Sequence, residues 1–180
     1  IVAVSTCLFG MKAEAASKVN DYILNNNIKP IGEQINYQIS MQDSSKNGGI
    51  NMNYVGNKPQ LVIIHETAND SSTLDNEISY MVRNQENAFV HSFVSDNQLK
   101  TIANKSKMAW GAGPKGNPYG IQIEQTRVKS KEAFAKQIAN LANWTAMQMI
   151  QYNLGAPKLV STTSKAVDGN LASHENISYK

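Results

Sequence analysis

Leu61-Val62-Ile63-Ile64 is an unbroken aliphatic run that delivers His65 straight into a polar turn, Glu66-Thr67-Ala68-Asn69-Asp70. A short run that is apolar at every position and rich in β-branched side chains reads as a strand buried on both faces. In open α/β sheets the carboxyl ends of strands are where ligands and catalytic groups gather, so His65 is a candidate functional residue. The bland alternative, a histidine that merely caps a buried strand, is the commoner fate of a lone His. Glu66 does not turn the run into a metalloprotease helix, because H-E-x-x-H requires a second histidine where Asn69 stands. His65 needs a partner from elsewhere in the chain.

A chain of 180 residues is expected to form about one domain with a real core. Its 17 Lys+Arg against 14 Asp+Glu leave a net charge of +3, and the basic residues are scattered. That pattern carries no nucleic-acid footprint. Ile1 to Gly10 is mostly apolar and is followed by Ala13-x-Ala15, the small-residue pattern of a signal-peptidase site. Residues 1–15 therefore read as a signal-peptide remnant and imply secretion; the run is too short to span a bilayer. Cys7, the only cysteine, would leave with that segment, so the mature chain is expected to have no disulfide and no thiol chemistry.

Residues 16–59 read as a leader or wrapping segment: a short helix with Val19, Tyr22 and Ile23 on one side, ended before Pro30, then a stretch rich in Asn, Gln, Ser and Gly. After the His65 strand, Ser72-Thr73-Leu74-Asp75 has the form of a helix cap, and Leu74, Ile78, Met81 and Val82 form the apolar stripe behind it. Ala88 to Ser95 alternates as a strand with Phe89, His91 and Phe93 on one face, and Asp96-Asn97 turns it into Leu99–Ile102. Gly111 to Gly116 spells G-x-G-x-x-G, but the segment that follows reads as a strand and not a helix, so a dinucleotide fingerprint is dismissed and a rim loop bearing Trp110 is expected. In the strand Ile121 to Thr126, Ile121 and Ile123 share one face, while Gln122, Glu124 and Thr126 share the other, polar one. Ser130 then caps the longest helix, about Lys131 to Asn153, whose expected apolar stripe is Phe134, Ile138, Leu141, Thr145, Met149 and Tyr152, with Gly155 and Pro157 ending it.

Val62-Ile63-Ile64-His65-Glu66-Thr67-Ala68-Asn69, Phe89-Val90-His91-Ser92-Phe93-Val94, Trp110-Gly111-Ala112-Gly113, Ile121-Gln122-Ile123-Glu124 and Ser173-His174-Glu175-Asn176-Ile177-Ser178 occur in that order. Together they resemble the zinc-dependent N-acetylmuramoyl-L-alanine amidases, a group that includes peptidoglycan recognition proteins, and most of all the amidase domains of Gram-positive autolysins. The resemblance runs from about Lys58 onward, which makes residues 60–180 the expected catalytic domain.

It implies an α/β fold with a mixed central β-sheet flanked by helices and zinc (Zn2+) in a groove above it. His65 and His174 would be two of three protein ligands, with Glu124 as the acid–base residue and Thr67, His91 and Trp110 on the substrate groove. The implied chemistry is a zinc-activated water cleaving the amide between N-acetylmuramic acid and the L-alanine of the stem peptide. The implied partner is bacterial cell-wall peptidoglycan, met outside the cell by a monomer with no membrane span. Two departures accompany the match: Val90 stands where many relatives have tyrosine, and the usual third ligand, an Asp or Cys, would fall past Lys180, so the domain reads as cut short there. A catalytically inactive peptidoglycan-binding module of the same fold is the alternative. A serine hydrolase is disfavoured because no G-x-S-x-G elbow occurs.

Overall fold

The computed structural model describes residues 18–163 and 166–178; the apolar N-terminal run, its Ala13-x-Ala15 site and Cys7 lie outside them. In chain order the elements are α1 (Lys18–Asn25), β1 (Gln34–Ile35), β2 (Leu61–Glu66), α2 (Leu74–Arg83), β3 (Ser92–Val94), β4 (Leu99–Thr101), α3 (Gly113–Gly116), β5 (Gly120–Gln125), α4 (Lys131–Gln151), β6 (Leu171–Ser173) and α5 (His174–Ser178). The strands make one sheet in the order β1-β4-β3-β5-β2-β6. β3, β5, β2 and β6 run parallel, while β4 runs against β3 and carries β1 beside it. This is the mixed sheet flanked by helices that the resemblance implies.

The aliphatic run is β2, and it lies between β5 and β6. Both of its faces are covered, as the absence of any polar residue before His65 requires. One face carries Val62, Ile121, Ile123 and Val94, packed against Leu141, Trp144 and Met149 of α4. The other carries Leu61, Ile63 and Ala172 beneath Ala112 and Ile177, with Phe93 farther along beneath α2 residues Leu74 and Ile78. Gly120 belongs to this second face because Leu61 is its register partner. A Cβ at Gly120 would lie 2.2 Å from the Ile63 Cδ1, so only glycine lets that isoleucine fill the layer.

Three expectations change. The Ala88–Ser95 strand shrinks to Ser92–Val94: the His91 N–H does reach the Gln122 carbonyl, but Phe89 and Val90 are drawn under α2 as core and make no ladder. The expected stripe of α4 holds at Leu141, Thr145 and Met149, which are buried, but the buried face extends to one side of it. Phe134 is 41% exposed, whereas Gln137, Asn140, Trp144 and Gln148 are buried. The Gln137 amide donates to the Val94 and Thr126 carbonyls, and Asn140 donates to those of Ser95 and Asp96 while accepting from the Ile31 N–H. These side chains satisfy the Thr126, Ser95 and Asp96 carbonyls past the ends of β3 and β5 and add a second donor at the Val94 carbonyl, which already accepts the Thr126 N–H. Finally, α4 stops at Gln151, and Asn153, not Gly155, takes the first left-handed conformation, at φ +52°.

The segment before β2 is packed as core. Ile39, Met52 and Tyr54 are buried, and β1 pairs with β4. Glu33 accepts hydrogen bonds from Lys105 Nζ at 2.8 and 2.9 Å, from Trp144 Nε1 at 3.0 Å and from the Thr101 hydroxyl. Burial pushes the Glu33 carboxyl up, but these donors together outweigh it and hold it below its ordinary value.

Candidate functional site

Sheet register builds the site. His65 and Glu124 are Cα partners in parallel strands, so both side chains leave the same face at the carboxyl ends of β2 and β5. On the other side of β2, Ile64 is paired with Ser173, and His174 follows immediately as the first residue of α5. The start of α5 is pinned by a reciprocal pair: Ser173 donates to Asn176 Oδ1 through its N–H (2.9 Å) and hydroxyl (2.8 Å), and its Oγ accepts the Asn176 N–H at 3.1 Å. The result brings the His65 and His174 rings together, with centroids 4.7 Å apart and planes inclined by 55°.

The buried His65 imidazole is held neutral. Burial, and then the neighbouring His174, pull its pKa down to about 3. Glu124 is shifted the other way, to about 8, by burial and then by the negative charges of Glu77 and Glu66. At the rim, the Arg127 guanidinium bridges Glu66 and Asp70, the latter at 3.1 Å, and keeps Glu66 below its usual range.

The three remaining expected residues do not form one wall. His91 is 0% exposed, so it offers no surface to a ligand. Its Nδ1 accepts the Gln122 N–H at 3.0 Å, and its Nε2 lies 2.8 Å from the Lys107 carbonyl and 3.0 Å from Tyr54 Oη. The expectation that His91 lines the groove is therefore corrected: it is a buried brace between β3, β5 and the Lys107 turn. Trp110 is half-buried. Its Nε1 donates to the Gln85 carbonyl at 2.7 Å, and its ring meets Phe89 edge-on at 5.5 Å, so the loop holds the indole in place. Thr67 follows the histidine strand, its N–H bonded to the Gln125 carbonyl, and its hydroxyl is buried without a partner among the described residues.

Two adjacent imidazoles are the donor type zinc prefers, and these two fit as part of a zinc site. Among the described residues no third His, Cys, Asp or Glu joins them. Sequence reasoning missed Gln122 and the Glu66–Arg127–Asp70 rim. Gln122 shares the parity of Glu124, and Arg127 leaves β5 where Glu66 ends β2; both signals were readable once β2 and β5 were known to be neighbours.

The N-acetylmuramoyl-L-alanine amidase family matches residues 55–178. A bifunctional autolysin of Staphylococcus epidermidis is 36% identical over 138 residues, which is 77% of this chain and 10% of that protein. A bifunctional autolysin of Staphylococcus aureus is 34% identical over 149 residues, 83% of this chain and 11% of the relative. The chain thus spans about a tenth of the length of these curated relatives. Among solved structures, the Staphylococcus aureus hydrolase AmiA, crystallised in complex with its ligand, superposes with a TM-score of 0.79 at 32% identity, covering 93% of this chain and 77% of AmiA. PlyL, at 23% identity and a TM-score of 0.59, shares the fold over 83% of this chain and 84% of its own. The order of the sheet, the paired histidines and these matches agree: the chain belongs to the N-acetylmuramoyl-L-alanine amidase family.

Proposed function

We propose that this chain hydrolyses peptidoglycan at the amide joining the lactyl group of N-acetylmuramic acid to the L-alanine of the stem peptide, with zinc held by His65 and His174 and with Glu124 moving the proton. The observation that carries the reading is the juxtaposition of two histidine rings 4.7 Å apart with a buried carboxylic acid in register beside one of them. Family membership supports the bond, and the named relatives, autolysins, support action outside the cell at the wall.

His65, kept neutral by burial, holds a lone pair ready for a metal. Zinc held by His65 and His174 would supply Lewis acidity toward the amide carbonyl and lower the pKa of a bound water. The Glu124 carboxylate takes a proton from the attacking water and returns it to the leaving amine of L-alanine. Burial, with the charges of Glu77 and Glu66, pushes the Glu124 pKa up to about 8; the positive charge of a bound metal would favour the carboxylate that a general base requires. Thr67 and Trp110, on the turns that flank the histidine strand, are proposed to touch the glycopeptide.

The test is digestion of Gram-positive sacculi with the zinc-supplemented protein, followed by labelling of new amino termini and reducing ends. New L-alanine amino termini without new reducing ends are expected, with loss of product and of bound zinc in His65→Ala and His174→Ala. Binding to sacculi without release of amino termini would instead identify an inactive binding module.

A further inference from the structure

Two polar atoms beside the site lack hydrogen bonds of ordinary length and angle among the described residues: Nε2 of His65 and Oε1 of Gln122. Both are buried, and Gln122 is 0% exposed. An unpaired polar atom at such depth is costly, and two of them on one face of two paired strands call for a common explanation.

The orientation of the Gln122 amide follows from its surroundings. Its Nε2 donates to the Ala109 carbonyl at 3.1 Å and, at 3.4 Å, toward Asn117 Oδ1. That Asn117 oxygen is itself identified by the Ala112 N–H, which it accepts at 2.7 Å. The amide oxygen is thus the free end. It lies against Gly111, where a Cβ would come within 2.8 Å, so the glycine-rich loop can cover it only with glycine at that position. Gln122 and His65 occupy the same face, since Ile63 is the register partner of Gln122 and His65 that of Glu124.

We propose that Gln122 is a positioning residue: its Oε1 accepts Nε2–H of His65, which fixes the tautomer and leaves Nδ1 as the nitrogen with a free lone pair for a metal. The proposal rests on the metal role assigned to His65 above. An Nε2 buried from solvent is poorly placed for an ion that must also meet substrate, whereas a ring whose buried nitrogen is committed to an acceptor presents the other one in a defined orientation. The same residue sets a second ring, because its backbone N–H is bonded to Nδ1 of His91 and so places that histidine's proton on Nε2.

The experiment reads ring tautomers in the metal-free protein by long-range 1H–15N spectra, simplified by the presence of only 3 histidines. The wild type should show His65 and His91 both protonated at Nε2. Gln122→Met keeps the length and removes the acceptor; His65 should become a tautomer mixture while His91, held by a backbone N–H, stays as it was. Zinc affinity, measured by competition with a chromophoric chelator, should fall about 10- to 100-fold. Gln122→Glu, neutral in this buried position, should restore both the tautomer and the affinity. His65 protonated at Nδ1 in the wild type, or an unchanged His65 tautomer in Gln122→Met, overturns the proposal. If Gln122→Met fails to fold, the wild-type spectrum alone decides. A wild-type protein with the expected tautomer that takes up no zinc would overturn the metal reading and leave the Gln122–His65 contact standing.

Discussion

His65 and Glu124 face each other across one rung of a parallel ladder, the last rung but one before both strands end. Their relative position is set by backbone pairing and not by loops, so neither can shift without breaking the register of β2 against β5. A metal-ligand candidate and a proton-carrier candidate placed this way need little reorganisation.

Glu124→Gln should leave fold and zinc stoichiometry intact and cut release of L-alanine amino termini by about 10²- to 10⁴-fold. The same substitution has a pH signature in the metal-free protein. Because burial and then Glu77 and Glu66 raise the Glu124 pKa from its ordinary 4.5 to about 8, the folded state holds a proton that the unfolded chain gives up. Wild-type stability should therefore decline as pH climbs from about 4.5 to about 8, by on the order of 1–3 kcal/mol, and the Gln variant should lack that decline. Urea denaturation at a series of pH values checks it; parallel curves for the two proteins would refute the buried-acid assignment.

Glu33 supplies the opposite slope. Its carboxyl, pushed up by burial but pulled down further by Lys105, Thr101 and Trp144, ends below its ordinary value. The stability it contributes is present above the unfolded-state pKa and is lost as pH falls through the lower folded-state value. Glu33→Gln removes the countercharge of Lys105, a residue only 8% exposed, and should cost about 2–4 kcal/mol at neutral pH. Thermal unfolding at pH 7 and pH 3 should show that deficit shrinking in acid.

His91→Ala should behave as a stability mutation. It strands the Gln122 N–H, the Lys107 carbonyl and the Tyr54 hydroxyl and opens a cavity, for a loss of about 3–5 kcal/mol. Affinity for soluble muropeptides, measured on the folded fraction at low temperature, should change less than two-fold. A larger loss of affinity with an unchanged melting temperature would return His91 to the groove.

Asn140→Leu replaces a polar residue with one the hydrophobic pattern of α4 would welcome, yet it should destabilise by about 2–3 kcal/mol. The Asn140 amide serves the Ser95 and Asp96 carbonyls and the Ile31 N–H, and leucine serves none. Denaturant midpoints of the two proteins decide the matter.

Asn140 also shows where sequence reading stops. Periodicity finds a strand such as β2 because every one of its side chains meets other side chains, and it finds the caps Thr73 and Ser130 because their partners lie within one turn. It finds Leu141, Thr145 and Met149 on the buried face of α4 but misses Gln137 and Asn140, which turn inward to meet backbone groups far away in sequence. Strand parity put Gln122 and Glu124 together, but it could not tell that their face would be buried, since that depends on α2, α3 and the Trp110 loop folding over it. His91 was legible as a histidine on a strand and illegible as a brace, because its partners come from residues 54, 107 and 122.

The way the chain wraps before β2 bears on how this domain can be moved between proteins. The family match spans residues 55–178, which invites a splice at Val55, although the autolysin relatives align over more of the chain than that. A splice there would deliver the histidine strand and the acid strand without Tyr54 beneath His91, without Ile39 and Met52 in the core, and with Lys105 and Trp144 deprived of Glu33. The portable unit starts no later than Ile31, whose N–H is already tied to α4. Recombination that exchanges such domains among wall enzymes would be filtered at that seam, so functional chimeras should carry their own wrapping segment and tolerate almost any partner upstream of it.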